Sequence, residues 1–300
     1  MAVKVILLVL FFAVMVGVGI SCRRHTTDVN GFVLGGRSVG PWLTAFAYGT
    51  SYFSAVIFIG YAGQFGWKFG VASTWIGLGN AFLGSLLAWV VLGRRTRLLT
   101  QKLGTATMPE FFGKRFSSPA LKVSAALIVF VFLIPYTASL YNGLSRLFSM
   151  AFSIDYGICI LVMAVLTGVY VIAGGYMATA VNDFIQGIIM LFGIVAVIAA
   201  VLSLNGGFTG SLAALANVSD PETNIPGVFA SFFGPDPFGL FAVVILTSLG
   251  TWGLPQMVQK FYAIKNEKAI EKGTVISTLF AVVVAAATSS AASDASSTSM

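Results

Sequence analysis

Long apolar segments separated by short polar connections dominate the chain. Eight such segments occur, at positions 2–22, 42–63, 71–93, 123–151, 157–174, 184–205, 238–259 and 273–287. A helix that crosses a membrane needs about 20 apolar residues, because the hydrocarbon core is about 30 Å thick and each helical residue adds about 1.5 Å. Seven of the segments approach that length, whereas the eighth is predicted to be too short to cross.

Composition strengthens the membrane interpretation. Apolar residues make up 57% of the chain, charged residues make up only 9%, and the mean hydropathy is +0.93. A soluble domain of this size carries far more charge on its surface. Lipid offers no hydrogen-bond partner to an open sheet edge, and the alternating pattern of barrel strands is absent. The chain is therefore predicted to be an all-α integral membrane protein, embedded in a lipid bilayer.

The basic residues between the segments indicate how the chain is oriented. The first, third and seventh connections hold 14 of the 17 Lys and Arg residues, whereas the stretch 206–237 has none. The 14 residues are Arg23, Arg24, Arg37, Arg94, Arg95, Arg97, Lys102, Lys114, Arg115, Lys122, Lys260, Lys265, Lys268 and Lys272. By the positive-inside rule, these connections are expected to be cytoplasmic in a plasma membrane, with the N-terminus and 206–237 outside. Nucleic-acid binding is not indicated, because the basic residues flank spans and do not line a groove.

Two segments contain an interruption. The second has Gly49 in the polar run GTSYFS, and the seventh has Gly250, Gly253 and Pro255. Glycine loosens a helix and proline removes a backbone donor, so both segments are predicted to break within the membrane. Released carbonyl groups can bind a cation at such a break, and helix ends can orient a solute. Ordinary close helix packing is the alternative explanation for either segment alone.

The spacing of the two interruptions favours an inverted repeat. They lie five segments apart, and successive spans alternate in direction, so the two segments cross the membrane in opposite directions. Segments two to six would then form one half of the repeat, and the seventh segment would begin the other half.

One acidic residue stands out because carboxylates are scarce in this chain. Asp183 lies between the segments 157–174 and 184–205, and no basic residue is near it in the sequence. Ionisable groups at membrane depth are costly and commonly mark ion or proton pathways. A helix N-cap at the membrane surface is the alternative role, and Asn182 beside it could fill that role too.

The residues that metal and enzyme chemistry need are poorly supplied. The chain has a single histidine, His25, and two cysteines, Cys22 and Cys159, without metal-ligand spacing. We therefore predict no transition-metal site, no cofactor and no enzymatic activity.

Three motifs are distinctive, namely GVYVIAGGYMATAVNDFIQ, FVLGGRSVGPWLTAFAYGTSYFSA and GTWGLPQMVQKFYAIKNEKAI. Together they resemble the sodium:solute symporter family, which includes sodium/proline, sodium/pantothenate and sodium/glucose symporters. The first is similar to the family signature, the second to the start of the first core helix, and the third to the sixth core helix. The resemblance implies a LeuT-type inverted-repeat helical bundle with one extra N-terminal helix, truncated in the second repeat.

The resemblance also implies a division of the chain into five parts. Residues 1–22 would form the extra transmembrane helix, and 23–205 the first five-helix repeat with the loop that leads into it. Residues 206–237 would be an external loop, 238–287 the start of the second repeat, and 288–300 a low-complexity Ala/Ser tail. A cleaved signal peptide is the less favoured interpretation of the first part, because the segment is long and lacks a small-x-small cleavage site.

Site residues follow from the resemblance as well. Backbone carbonyl groups of Thr50 and Phe53 would bind sodium as the coupling ion, assisted by Asp183. The residues that would contact the solute are Tyr52, Ser54, Tyr136, Thr247, Thr251, Trp252 and Gln256. Tyr136 could instead be a packed aromatic residue, and Gln256 could contact helix backbone.

The sequence departs from the proline branch of the family at three of these positions. Tyr52 stands where that branch has an acid, and Thr247 and Thr251 replace a Trp and a Tyr. The resemblance implies a sodium-coupled symporter that imports a small organic solute by alternating access, but it does not name the solute. A transporter-like membrane sensor and a non-transporting fragment are the alternatives.

Overall fold

The chain folds into a bundle of helices. The computed structural model describes residues 2–53, 63–204, 207–219 and 224–295. Those ranges contain no strand, and their extended pairings are two isolated bridges, Val39 with Ile264 and Ser219 with Pro226. The predicted all-α architecture is therefore confirmed.

Thirteen α-helices occur in the described ranges. They are α1 (Ala2–Ser21), α2 (Val29–Leu34), α3 (Pro41–Tyr52), α4 (Gly63–Phe69), α5 (Thr74–Gly79), α6 (Arg94–Lys102), α7 (Met108–Arg115), α8 (Pro119–Phe152), α9 (Tyr156–Leu204), α10 (Gly207–Ala216), α11 (Pro237–Leu249), α12 (Pro255–Ala263) and α13 (Glu267–Ala295). Two π-helical stretches, Asn80–Leu87 and Trp89–Gly93, lie between α5 and α6. Ser118 and Asp236 cap α8 and α11 by accepting backbone N–H groups, and a proline follows each cap.

Five of these helical runs are long and apolar enough to cross a membrane, or six if the bent pair of α11 and α12 counts as one more. This count covers only the described residues, and the predicted segment 42–63 extends beyond them. The prediction for the last segment is wrong, because Glu267–Ala286 is a candidate span of 20 residues. The helix begins well before the apolar run because Asn266 caps it, accepting the N–H of Ala269 at 2.9 Å.

The two apolar segments that flank Asp183 belong to one helix, which is kinked before Asp183. Helix α9 runs through both predicted segments, and its backbone leaves helical geometry at Gly175, with φ 54° and ψ −148°. A side chain at Gly175 would meet the Phe32 carbonyl oxygen at 2.7 Å, so glycine is required there. Asp183 lies more than two turns beyond this kink, inside the helix. The alternative of an N-cap at Asp183 or Asn182 is therefore wrong.

The basic connections converge on one end of the bundle, called the basic end below. Arg37 donates to the carbonyl oxygens of Thr105 at 2.6 Å and Tyr262 at 3.3 Å. Arg97 donates to the carbonyl oxygen of Ile264 at 2.5 Å. The first, third and seventh connections thus share one end. Their guanidinium groups donate hydrogen bonds to carbonyl groups that the helix ends leave free.

At the opposite end, the connection that holds Lys68 meets the end of the stretch 206–237. Lys68 lies 3.8 Å from the carboxylate of Asp236, and the indole N–H of Trp75 donates to the carbonyl oxygen of Phe232 at 2.9 Å. The basic residues of the connections are therefore concentrated at one end of the bundle, which is the asymmetry that the positive-inside rule uses to predict orientation.

Aromatic side chains pack α3 into the middle of the bundle. The rings of Tyr48, Trp89 and Phe261 are all buried and lie 5.1–5.7 Å apart between centroids. They come from α3, from the second π-helical stretch and from α12. This packing holds the end of α3 against the elements that carry the candidate site.

Candidate ion and solute site

Two interrupted helices end close to each other. Helix α3 ends at Tyr52, where Phe53 leaves helical geometry with φ −90° and ψ 61°. Helix α11 passes through a 3₁₀ turn into Leu254, which is extended with φ −69° and ψ 125°, and α12 begins at Pro255. The axes on the two sides of this break differ by 51°. Proline explains the break, because it lacks an N–H group and disfavours helical geometry in the residue before it.

The three glycines assigned to helix breaks differ in their surroundings. Gly49 lies inside α3, and its carbonyl oxygen accepts the N–H of Phe53 at 2.9 Å. A Cβ atom there would lie 2.5 Å from the Phe280 ring, so this glycine permits close packing of α13 on α3. Gly250 and Gly253 have open space where a Cβ atom would stand. Close packing therefore explains Gly49 directly, whereas the other two glycines lie at the bend itself.

A polar cluster joins the two helix ends. The side-chain oxygen of Asn80 lies 3.2 Å from the Tyr52 hydroxyl, 3.0 Å from the Thr247 hydroxyl and 3.2 Å from the Ser248 hydroxyl. The Tyr52 hydroxyl also lies 3.0 Å from the carbonyl oxygen of Thr247. Asn80 and Tyr52 are only 4% and 2% exposed. Sequence reasoning missed Asn80, whose one signal is an amide within a mostly apolar segment.

The π-helical stretch makes room for this cluster. The Tyr48 hydroxyl donates to the carbonyl oxygen of Gly84 at 3.1 Å, and a Cβ atom on Gly84 would overlap the Tyr52 hydroxyl. A π-helical stretch alters the regular hydrogen-bond pattern of a helix, and such stretches are frequent at functional sites. The glycine and the π-helix together let two tyrosines approach the backbone.

Two further residues predicted to contact solute lie beside the bend. The Thr251 hydroxyl donates to the carbonyl oxygen of Ser248 at 3.0 Å, and the Trp252 indole N–H donates to the carbonyl oxygen of Leu83 at 3.1 Å. The structure thus groups Tyr52, Thr247, Thr251 and Trp252 around the end of α11. Ser54 lies outside the described residues.

A cavity of about 860 Å³ opens between α8 and α12, on the far side of the bend. Gln256 lines it, and neither polar atom of this amide has a hydrogen-bond partner in the described part of the chain, although both are buried. Thr137, Tyr141 and Gln259 add polar groups to its largely apolar wall. The volume is typical of a small-molecule site. Tyr136 lies on α8 but does not line this cavity.

Asp183 has a partner that the sequence did not reveal. The ammonium group of Lys260 lies 3.5 Å from its carboxylate, although no basic residue is near Asp183 in the sequence. The two residues are 77 positions apart in the chain and meet because α12 packs near α9. A counter-charge is what a largely buried carboxylate requires, since an unpaired charge costs several kcal/mol.

Asp183 is also close to the end of α3. Gly187 follows it by one helical turn, on the same face of α9. A Cβ atom at Gly187 would lie 3.1 Å from the methyl group of Thr50, and the rings of Phe46 and Phe184 are 4.8 Å apart. The Thr50 hydroxyl itself donates to the carbonyl oxygen of Phe46 at 2.9 Å. The predicted sodium-binding residues therefore lie on neighbouring faces of α3 and α9.

A helical bundle in which a broken span meets the end of another at a polar cluster is the architecture of a secondary transporter. Among solved structures, the chain is similar to a Na⁺-coupled sialic acid symporter in a substrate-bound outward-open state. The TM-score is 0.74 at 17% identity, over 95% of this chain and 58% of that one. This likeness confirms the LeuT-type fold. The model of the sodium:solute symporter family matches residues 32–293, and the chain belongs to that family.

Curated relatives agree with this assignment. The sodium/proline symporter of Staphylococcus aureus is 31% identical over 271 residues, which cover 89% of this chain and 51% of the relative. Its counterpart in the JH9 strain is 31% identical over 272 residues, with the same coverage. The chain thus spans about half the length of the curated relatives that it matches. These relatives are transporters and not enzymes. Because they are transporters, the alternative of a membrane sensor is not favoured.

Proposed function

We propose that the full-length protein imports a small organic solute together with sodium, by alternating access across the plasma membrane. Family membership and the LeuT-type fold support this function. The observation that carries it is the junction between the two helix ends, where the Tyr52 hydroxyl lies 3.0 Å from the carbonyl oxygen of Thr247. A group bound at either helix end can thereby influence the other end.

Sodium would bind at the end of α3. Thr50 lies in the last turn of that helix, and helices commonly leave carbonyl groups of their last turn without an intrahelical partner. The carbonyl groups of Thr50 and Phe53 would hold the ion, and Asp183 on α9 would supply negative charge nearby. No other metal and no cofactor are required by this arrangement.

Solute would bind around the bend between α11 and α12. Tyr52, Thr247, Thr251 and Trp252 present hydroxyl and indole groups there, and Gln256 presents an unpartnered amide on the other side of the bend. These groups carry no formal charge, so recognition would rest on hydrogen bonds and shape. The related proteins are sodium/proline symporters, but Tyr52, Thr247 and Thr251 differ from the proline branch, so these positions do not identify proline as the solute.

Coupling would follow from the shared junction. Sodium that orders the end of α3 also positions Tyr52, and with it Asn80 and Thr247 at the solute site. The solute must tighten sodium binding by the same factor, because linkage is reciprocal. Each sodium ion that moves inward gains about 2.3 kcal/mol per 100 mV of membrane potential, in addition to its concentration gradient. That free energy would drive the solute uphill. The basic end would face the cytoplasm, with the N-terminus outside.

Uptake into proteoliposomes that contain the full-length protein tests this function. Labelled amino acids including proline, sugars, carboxylates and vitamins would each be supplied with an inward sodium gradient. We expect one class of solute to accumulate above its external concentration, and accumulation to stop when choline replaces sodium. Uptake that continues at the same rate in choline would falsify the sodium coupling.

A further inference from the structure

The carboxylate of Asp183 is held by a single cation. Its Oδ2 atom lies 3.5 Å from the Lys260 ammonium group, and no other donor reaches this carboxylate in the described part of the chain. A strong charge-assisted hydrogen bond measures about 2.7–2.9 Å, so this contact is a long one. The side chains of Asp183 and Lys260 are 23% and 8% exposed. A largely buried acid with one distant partner can accept a different cation.

The surroundings of Lys260 suit one monovalent positive charge. The ammonium group lies 5.4 Å from the centroid of the Tyr176 ring, whose face attracts cations. The hydroxyl of Tyr176 is buried and has no hydrogen-bond partner among the described residues. A second cation at Asp183 would be repelled by the ammonium group, because charges a few ångströms apart interact strongly where water is scarce. Only one of the two cations can occupy this position.

Lys260 belongs to the helix that follows the bend. Helix α12 begins directly after Leu254, and its other end is held at the basic end of the bundle, where Arg37 and Arg97 bind the carbonyl groups of Tyr262 and Ile264. The pair of Lys260 with Asp183 is the ion pair that ties α12 to α9 in the described ranges. Displacement of Lys260 from Asp183 would leave α12 joined to α9 by packing and by the contact of the ammonium group with the Tyr176 ring.

We infer that Lys260 is a tethered cation that occupies Asp183 in the absence of sodium and is displaced when sodium binds. Sodium binding thereby loosens the link between α12 and α9, and α12 can then turn about the bend at Leu254. This inference rests on the proposed function, because it takes Asp183 as part of the sodium site. Lys260 acts as a positioning residue: it touches neither ion nor solute during transport, and it sets the affinity for sodium through Asp183.

The variant Lys260→Met tests the inference, because methionine keeps most of the side-chain length and removes the charge. Sodium affinity would be measured by titrating sodium chloride against the thermal stability of the purified full-length protein, with choline chloride holding ionic strength constant and no solute present. We expect the sodium concentration for half-maximal stabilisation to fall about tenfold in this variant. Tenfold corresponds to about 1.4 kcal/mol of lost competition.

Two further variants separate competition from structural support. Lys260→Arg retains a cation beside Asp183 and should keep sodium affinity near the original value. Lys268→Met removes an exposed charge on α13 and should change nothing. If Lys260 only supported the structure, the result would be the opposite, and Lys260→Met would weaken sodium binding. Weaker or unchanged sodium affinity in Lys260→Met would overturn the inference.

The double variant Asp183→Asn with Lys260→Met shows whether the gain acts through Asp183. We expect its sodium affinity to equal that of Asp183→Asn alone, because without the carboxylate there is nothing for the lysine to compete for. A tenfold gain that persists in the Asp183→Asn background would contradict the inference and leave the proposed function intact. A wild-type protein that is not stabilised by sodium at all would overturn both.

Discussion

Replacing Tyr52 with phenylalanine removes the hydroxyl that joins the end of α3 to the bend after α11. In the structure that hydroxyl lies 3.2 Å from the Asn80 side-chain oxygen and 3.0 Å from the Thr247 carbonyl oxygen. The phenyl ring would keep its packing, because Tyr52 is buried among aromatic neighbours. The substitution therefore tests the polar link and leaves the core otherwise unchanged.

The size of the expected effect follows from one hydrogen bond. A buried hydrogen bond contributes about 0.5–1.5 kcal/mol net, and its loss here breaks the link between the two helix ends. Coupling between two ligands typically amounts to about 1–3 kcal/mol. A loss of about 1 kcal/mol would lower the coupling factor about fivefold, where the coupling factor is the ratio of solute dissociation constants without and with sodium.

The control is Tyr48→Phe. Tyr48 lies one turn earlier on α3, is equally buried, and its hydroxyl donates to the Gly84 carbonyl oxygen at 3.1 Å rather than to a group of α11. Both variants should lose similar thermal stability, but only Tyr52→Phe should reduce the coupling factor. Solute binding would be titrated in sodium and in choline for each protein. A coupling factor that is the same in both variants would show that the Tyr52 hydroxyl does not carry the link.

Two further predictions concern stability. Gly49→Ala should lower the free energy of unfolding by about 1–3 kcal/mol, and the melting temperature with it, because the new methyl group would lie 2.5 Å from the Phe280 ring. The loss should be smaller for Gly253→Ala, because the methyl group there would meet open space. Equal melting temperatures would contradict this packing argument. Burial raises the pKa of Glu110, but a backbone N–H group and the Lys114 ammonium group lower it more, so its net pKa is below the ordinary value. The contribution of the ionised Glu110 to stability is therefore present at neutral pH. It is lost as pH falls from the ordinary pKa of about 4.3, which holds in the unfolded chain, through the lower pKa of the folded protein. Melting curves should show Glu110→Gln to be less stable than the original protein at pH 7, by under about 1 kcal/mol. At a pH below the folded pKa of Glu110, the two proteins should be equally stable. A stability difference that grows toward low pH would refute the lowered pKa of Glu110.

The features with local causes are the ones that the sequence signals. Apolar segments of about 20 residues predict spans whatever their neighbours, and the described helices follow most of them. The change of direction at Leu254 has a local cause too, because Pro255 cannot continue the preceding helix. The start of α13 was missed because an apolar window ignores the capped, charged turns that precede it.

Tertiary contacts account for what the sequence concealed. Asp183 stands between two apolar segments of the sequence, but the structure places it inside α9 with Lys260 as its counter-charge. The two residues are far apart in the chain, so no local pattern reveals the pair. Asn80 was missed for the same reason, since its importance lies in three hydroxyl groups that two other helices bring to it.

The most direct test of the account is the effect of sodium on solute binding to the full-length protein. Once the uptake screen has identified a solute, its dissociation constant would be measured by titration calorimetry in sodium chloride and in choline chloride at equal ionic strength. The account predicts binding at least about fivefold tighter in sodium, the lower end of typical coupling between linked sites. Equal affinity in the two salts would contradict a solute site joined to a sodium site through the ends of α3 and α11.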